Sequence, residues 1–135
     1  MAILSGLGKY KNTGLLIIRV GLGIMFILHG YPKLIGGPDK WTALGGAVKH
    51  VGITFYPVFW GLMAAVAETF GGFLVLIGLA FRPATLLLTI TMIIASIMHL
   101  QSGDGIGGSS HAIESAVVFL GLTLIGPGKY SVDKK

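Results

Sequence analysis

The residues of this chain able to do chemistry are few, and they interrupt long apolar stretches. Arg19 lies within the first stretch, Glu68 within the second and Glu114 within the last, while His29, His99 and His111 stand at stretch ends. An ionisable side chain in such a setting costs a few kcal/mol, so each needs a partner or a task. Arg19 and Glu68 read as a pair, either an ion pair that fixes helix packing or a proton-handling or ligand-anchoring pair. A third reading leaves Arg19 snorkelling alone with Glu68 protonated. His111 and Glu114 are three residues apart and share a helix face. With His29 and His99 they read as one ligand set, open to three chemistries. His-x-x-Glu offers two ligands to a metal ion. His29 and His99 are candidate axial ligands for a haem. Imidazole and carboxylate together offer donors and an acid/base path to a quinone headgroup. The plain alternative is that each histidine caps a helix end at a polar interface.

The composition says what surrounds these groups. Of the 135 residues 53% are hydrophobic and 11% charged, against roughly 25% charged in an ordinary soluble domain. Mean hydropathy is +0.84. A soluble enzyme and an autonomous nucleic-acid-binding module are both excluded, and the partner of this chain is the lipid bilayer. The net charge of +5 comes from Lys and Arg at the ends of apolar segments, which suits topology and headgroup contact. The absence of cysteine removes disulfides, thiolate metal sites and Fe–S clusters.

Four apolar stretches, at about 14–30, 55–81, 83–100 and 111–126, approach the 17–25 residues of a bilayer span. None alternates apolar and polar residues, so the expected fold is all-α, an integral membrane four-helix bundle in a single domain. Pro32, Gly36, Gly37 and Pro38 should end the first helix, and Arg82-Pro83 should make a tight hairpin between the second and third. Gly103 to Ser110 reads as a flexible loop, and Gly126-Pro127-Gly128 stops the last helix. Between the first two spans, Trp41, Leu44, Val48 and Val51 recur at helical spacing opposite Lys40, Lys49 and His50, as in a short amphipathic interfacial helix. Glycines within spans should let helices approach closely.

Lys9, Lys11, Arg82, Lys129, Lys134 and Lys135 fall on one side of this topology and Lys33, Lys40 and Lys49 on the other. The positive-inside rule puts both termini in the cytoplasm, with the imidazoles at the outer face. No small-x-small cleavage site follows the first stretch, which reads as a retained span and not as a secretory signal.

The strings Arg19-Val-Gly-Leu-Gly, Phe26-Ile-Leu-His29-Gly30-Tyr-Pro-Lys33-Leu34, Glu68-Thr-Phe-Gly71-Gly72 through Arg82, and Gly126-Pro-Gly-Lys-Tyr-Ser131-Val-Asp133, with Met92, Ala95, His99 and Glu114 between, resemble the DoxX family of small membrane proteins. The resemblance implies a four-helix membrane fold. It also implies association with respiratory or sulfur redox systems, since relatives include subunits of thiosulfate:quinone oxidoreductases. The leading expectation is a quinone-interacting or accessory subunit with an oxidoreductase partner protein, and homo-oligomerisation stays open. A non-catalytic membrane scaffold and a small-molecule carrier are the alternatives.

Overall fold

The computed structural model describes residues 3–133. Lys134 and Lys135, counted in the charge bias, lie outside the described residues. A 3-10 turn over Ser5–Tyr10 leads into α1 (Lys11–Leu34), followed by α2 (Pro38–Gly45) and a second 3-10 turn over Gly46–Val51. Then come α3 (Pro57–Ile77), α4 (Phe81–Gln101) and α5 (Gly105–Ile125). There is no strand among the described residues. Four helices are long and apolar enough to cross a membrane, and α2 is the short helix between the first two. Helices are the expected answer in lipid, because each satisfies its own backbone groups.

Three boundaries differ from the sequence expectation, each for a backbone reason. Pro32 does not stop α1, which runs on to Leu34. The break comes at Gly37, whose φ of 87° lies in the region that favours glycine. Arg82 and Pro83 are not the hairpin; they sit in the first turn of α4, where proline's missing N–H has no helical acceptor to lose. The turn is Gly78 to Ala80, with φ of 73° and 46° at those two residues. Most of Gly103–Ser110 is helix, since α5 begins at Gly105. Ser109 and Ser110 donate their hydroxyls back to the carbonyls of Gly105 and Gly107 at 2.7 and 3.0 Å, and so stay in the helix without an unmet polar group.

Around the bundle α1 packs on α3, α3 on α4 and α4 on α5. The backbones of α1 and α5 stay more than 8 Å apart; large side chains close that seam, with Phe26 edge-on to Phe119 at 4.9 Å between ring centres. Phe26, Val75, Phe81, Leu88, Met92, Phe119 and Leu122 form the buried core. The α1–α3 contact is close, because a Cβ at Gly23 would stand 2.8 Å from the Gly72 carbonyl oxygen and the Leu76 Cβ. Close approach through small residues is the expected way to gain packing where lipid gives no hydrophobic drive.

The amphipathic segment is docked onto the protein. A Cβ at Gly45 would collide with the Pro57 carbonyl, and one at Gly61 with the Trp41 carbonyl, so α2 crosses α3 backbone to backbone. Val48 is buried as its periodicity predicts, whereas Val51 remains exposed.

The end carrying both termini is tied by the last residues. Lys129 N–H donates to the Asn12 Oδ1 at 3.0 Å, and Val132 and Asp133 N–H donate to the carbonyls of Ile77 and Gly78. The Asp133 carboxylate accepts from Ala80 and Phe81 N–H at 3.1 and 2.7 Å, capping α4.

Candidate functional site

Arg19 and Glu68 are not partners. Arg19 is 2% exposed and spends its guanidinium on four carbonyls: Val75 and Leu76 at the end of α3, and Pro127 and Tyr130 in the C-terminal segment, at 2.8 to 3.3 Å. The antiparallel packing of α1 and α3 explains the separation. Gly23 lies beside Leu76, Gly30 beside Glu68 and the Arg19 guanidinium beside Gly78, so Arg19 reaches the C-terminal end of α3, about 15 Å along the axis from Glu68 at 1.5 Å per residue. Five N–H donors in a planar fork suit a cluster of helix-terminal carbonyls, which also carry the negative end of the α3 dipole.

Glu68 is held by Lys33. Lys33 Nζ lies 3.0 Å from Oε1 and 2.9 Å from Oε2, with the Glu68 side chain 7% exposed and that of Lys33 30%. Sequence reasoning placed Lys33 among the flanking charges. Its position four residues after His29, on the same helix face, was the available signal. Gly30 permits the pairing, since a Cβ there would stand 2.8 Å from the Glu68 Cβ and force α1 and α3 apart. The Trp41 indole N–H donates to the Lys33 carbonyl at 3.0 Å and anchors α2 over the same corner.

Two cavities meet at this ion pair. The larger, about 390 Å³, is roofed by Leu44, Ala47 and Val48 and walled by α3 and α4. Met63, Leu87 and Ile90 line it and are also exposed on the outer surface, so it opens sideways where lipid would be. The smaller, about 160 Å³, is bordered by Phe26, His29, Met92, Gly108, His111 and Ala112. Lys33, Glu68, Ala95 and His99 belong to both walls. The indole N–H of Trp60, in the wall of the larger cavity, is the buried side-chain donor without a partner among the described residues.

Of the four residues expected to converge, three do. His29 and His111 face each other across the α1–α5 seam with ring centres 5.2 Å apart, and Phe26 stacks near His111 at 6.2 Å. His99 stands in the same cavity wall, with Nδ1 2.7 Å from the Asp104 carboxylate. Glu114 is the exception: it is exposed on α5, lines neither cavity and makes no hydrogen bond or ion pair among the described residues. Its one-turn offset from His111 holds, but the helix turns it outward, and Glu68 takes its place as the carboxylate of the cluster. No three His, Asp or Glu side chains among the described residues are grouped closely enough to hold a metal ion. What the arrangement offers is an apolar chamber ending in an ammonium, a carboxylate, an imidazole and a free indole N–H.

Comparison with known proteins agrees with the fold. The chain is 30% identical to an uncharacterized protein of Haemophilus influenzae, covering 98% of this chain and 97% of that one. It is 30% identical to the inner membrane protein YphA of Escherichia coli, over 95% and 94% of the two chains. It is 34% identical to a Bacillus subtilis protein named "Putative oxidoreductase CatD", over 64% of this chain and 60% of that one. No solved structure matches. The DoxX family model matches residues 14–100, the stretch that carries Arg19, His29, Lys33, Glu68 and His99, and the chain therefore belongs to the DoxX family of multi-pass membrane proteins.

Proposed function

We propose that this protein is a quinone-binding accessory subunit of a membrane oxidoreductase system, with both termini in the cytoplasm and the ion-pair corner toward the outer face. The observation that carries the proposal is the Lys33–Glu68 pair at the inner end of a laterally open apolar cavity. A cavity of that kind selects an apolar molecule that partitions into lipid and bears a few hydrogen-bonding atoms. A quinone supplies two carbonyl acceptors on an apolar ring, and it carries electrons and protons as a pair. The Trp60 N–H and the Lys33 ammonium are donors for such carbonyls, and the unpartnered state of Trp60 Nε1 gives that donor a reason to be there. Glu68 and His99 are groups able to accept or return a proton at the same wall. The kinship with CatD, named as an oxidoreductase, supports the redox setting. The charge bias supports the orientation.

The test is binding of decylubiquinone and a short-chain menaquinone to the protein in lipid nanodiscs. Saturable binding is expected, weakened roughly tenfold or more by Trp60→Phe or Lys33→Met, since each removes a hydrogen-bond donor from a desolvated site. Non-saturable partitioning, equal in wild type and variants, would overturn the proposal.

A further inference from the structure

The two cavities that meet at the Lys33–Glu68 pair differ in what they can hold. Away from the shared wall, the larger is lined chiefly by Leu, Ile, Ala and Met side chains, and an apolar cavity stays dry until an apolar molecule fills it. The smaller has five ionisable side chains in its wall: His29 and Lys33 from α1, Glu68 from α3, His99 from α4 and His111 from α5. Its volume of about 160 Å³ has room for several waters at about 30 Å³ each, and this wall supplies the two to four polar partners that a buried water needs.

The border of the smaller cavity reaches the surface at the end of the bundle opposite the termini. His29, Gly108 and His111 are exposed. Gly108 lies in the first turn of α5, where an added Cβ would stand 2.7 Å from the Asp104 Cβ. Asp104 is exposed in the connection between α4 and α5 and holds His99 Nδ1 at 2.7 Å, so polar groups mark the opening. Toward the middle of the bundle the cavity ends at Phe26 and Met92, both buried. Glu68 fits a contact with water here. Lys33 takes one hydrogen bond from each of its oxygens, and a carboxylate has about four lone-pair sites to offer.

We propose that the smaller cavity is a water-filled vestibule through which Glu68 exchanges protons with the aqueous phase opposite the termini. Glu68 then stands on a boundary, with an apolar chamber on one side and water on the other. The step moves a proton only. It leaves the Glu68 carboxyl for a water, which passes one of its own protons to the next water or imidazole, and no bond between heavy atoms forms or breaks. Imidazoles suit such a path because they take up and release protons near neutral pH. For a quinone in the larger cavity the vestibule supplies the proton route, and that consequence alone rests on the quinone reading; the water path does not.

The chain contains no cysteine, so single-cysteine variants of the full protein in sealed lipid vesicles report water access without background. A methanethiosulfonate reacts with the thiolate, which forms poorly in apolar surroundings. Ala112, Ala67 and Ala84 are buried alike, at 4%, 4% and 3% exposed. Ala112 lines the smaller cavity, Ala67 only the larger, and Ala84 neither. A small, membrane-impermeant cationic methanethiosulfonate is added on the side where Lys40→Cys reacts. It should modify Ala112→Cys and Glu68→Cys roughly tenfold faster than Ala67→Cys and Ala84→Cys. Adding His111→Trp, which fills the opening, should slow both several-fold. Far-UV circular dichroism checks that each variant remains helical. Modification of Ala112→Cys no faster than Ala84→Cys, a rate at Ala67→Cys equal to that at Ala112→Cys, or reaction only from the other side would each overturn the inference. A fast Ala112→Cys beside a slow Glu68→Cys would overturn it too, because water would then stop short of the carboxylate. No quinone enters this measurement, so its failure and a failure of decylubiquinone binding are separate results.

Discussion

Lys33 on the first membrane helix bonds both oxygens of Glu68 on the second, at 3.0 and 2.9 Å. The pair shares its wall with two cavities of opposite character, one apolar and open to the side, the other bordered by imidazoles. Any molecule reaching the end of the apolar chamber meets a charge pair already oriented by α1, α2 and α3.

The pair itself is testable by a double-mutant cycle. Glu68→Gln leaves a half-buried ammonium without its counter-charge, and Lys33→Met leaves a buried carboxylate. Each single change should cost about 3 kcal/mol of stability, and the double variant should cost clearly less than the sum. Unfolding in mixed micelles measures this, and strict additivity would count against coupling.

Arg19 should be a structural clamp with no role in ligand binding. Arg19→Leu strands four carbonyls in the interior, and a loss of about 3–5 kcal/mol is expected from an uncompensated buried network. Hydrogen exchange at Val132 and Asp133 should accelerate as the C-terminal segment detaches. Decylubiquinone affinity of whatever folded protein remains should be unchanged, since Arg19 lines neither cavity.

Two glycines on the same helix should respond oppositely to alanine. Gly30→Ala drives a methyl group into Thr69 and Glu68, so it should destabilise the protein by a typical overpacking cost of about 1–3 kcal/mol and displace Lys33. Gly21→Ala, with nothing within 4 Å of the new atom, should be neutral or stabilising by up to about 1 kcal/mol. Thermal unfolding of the two variants side by side distinguishes these outcomes.

Orientation is open to labelling, again because the chain lacks cysteine. Lys40→Cys should react with a membrane-impermeant maleimide in intact cells, whereas Lys129→Cys should react only after permeabilisation. The reverse pattern would place the ion-pair corner on the cytoplasmic side.

The legibility of this chain divides along physical lines. Composition and the length of its apolar runs were enough for an all-α membrane bundle, because in lipid each span must satisfy its own backbone and few architectures can. His29, His99 and His111 could be placed at one end for a similar reason: an odd or even number of crossings decides which ends coincide. The interfacial helix was readable from the spacing of Trp41, Leu44 and Val48.

Partner choice among the buried ionisable groups was not readable. Depth along each helix can be counted from sequence, but the register between antiparallel α1 and α3 is set by interlocking glycines, Gly23 against Gly72 and Gly30 against Glu68. That register moved Glu68 from Arg19 to Lys33. The rotation of α5 about its axis is likewise decided by which of its faces packs on α4, and it turned Glu114 out of the cluster while keeping His111 in. Sequence determined which residues must be accounted for at membrane depth; only the packing of one helix against another decided which of them meet, because a shift of one turn or a rotation of one face costs nothing in the local pattern and everything in the contacts.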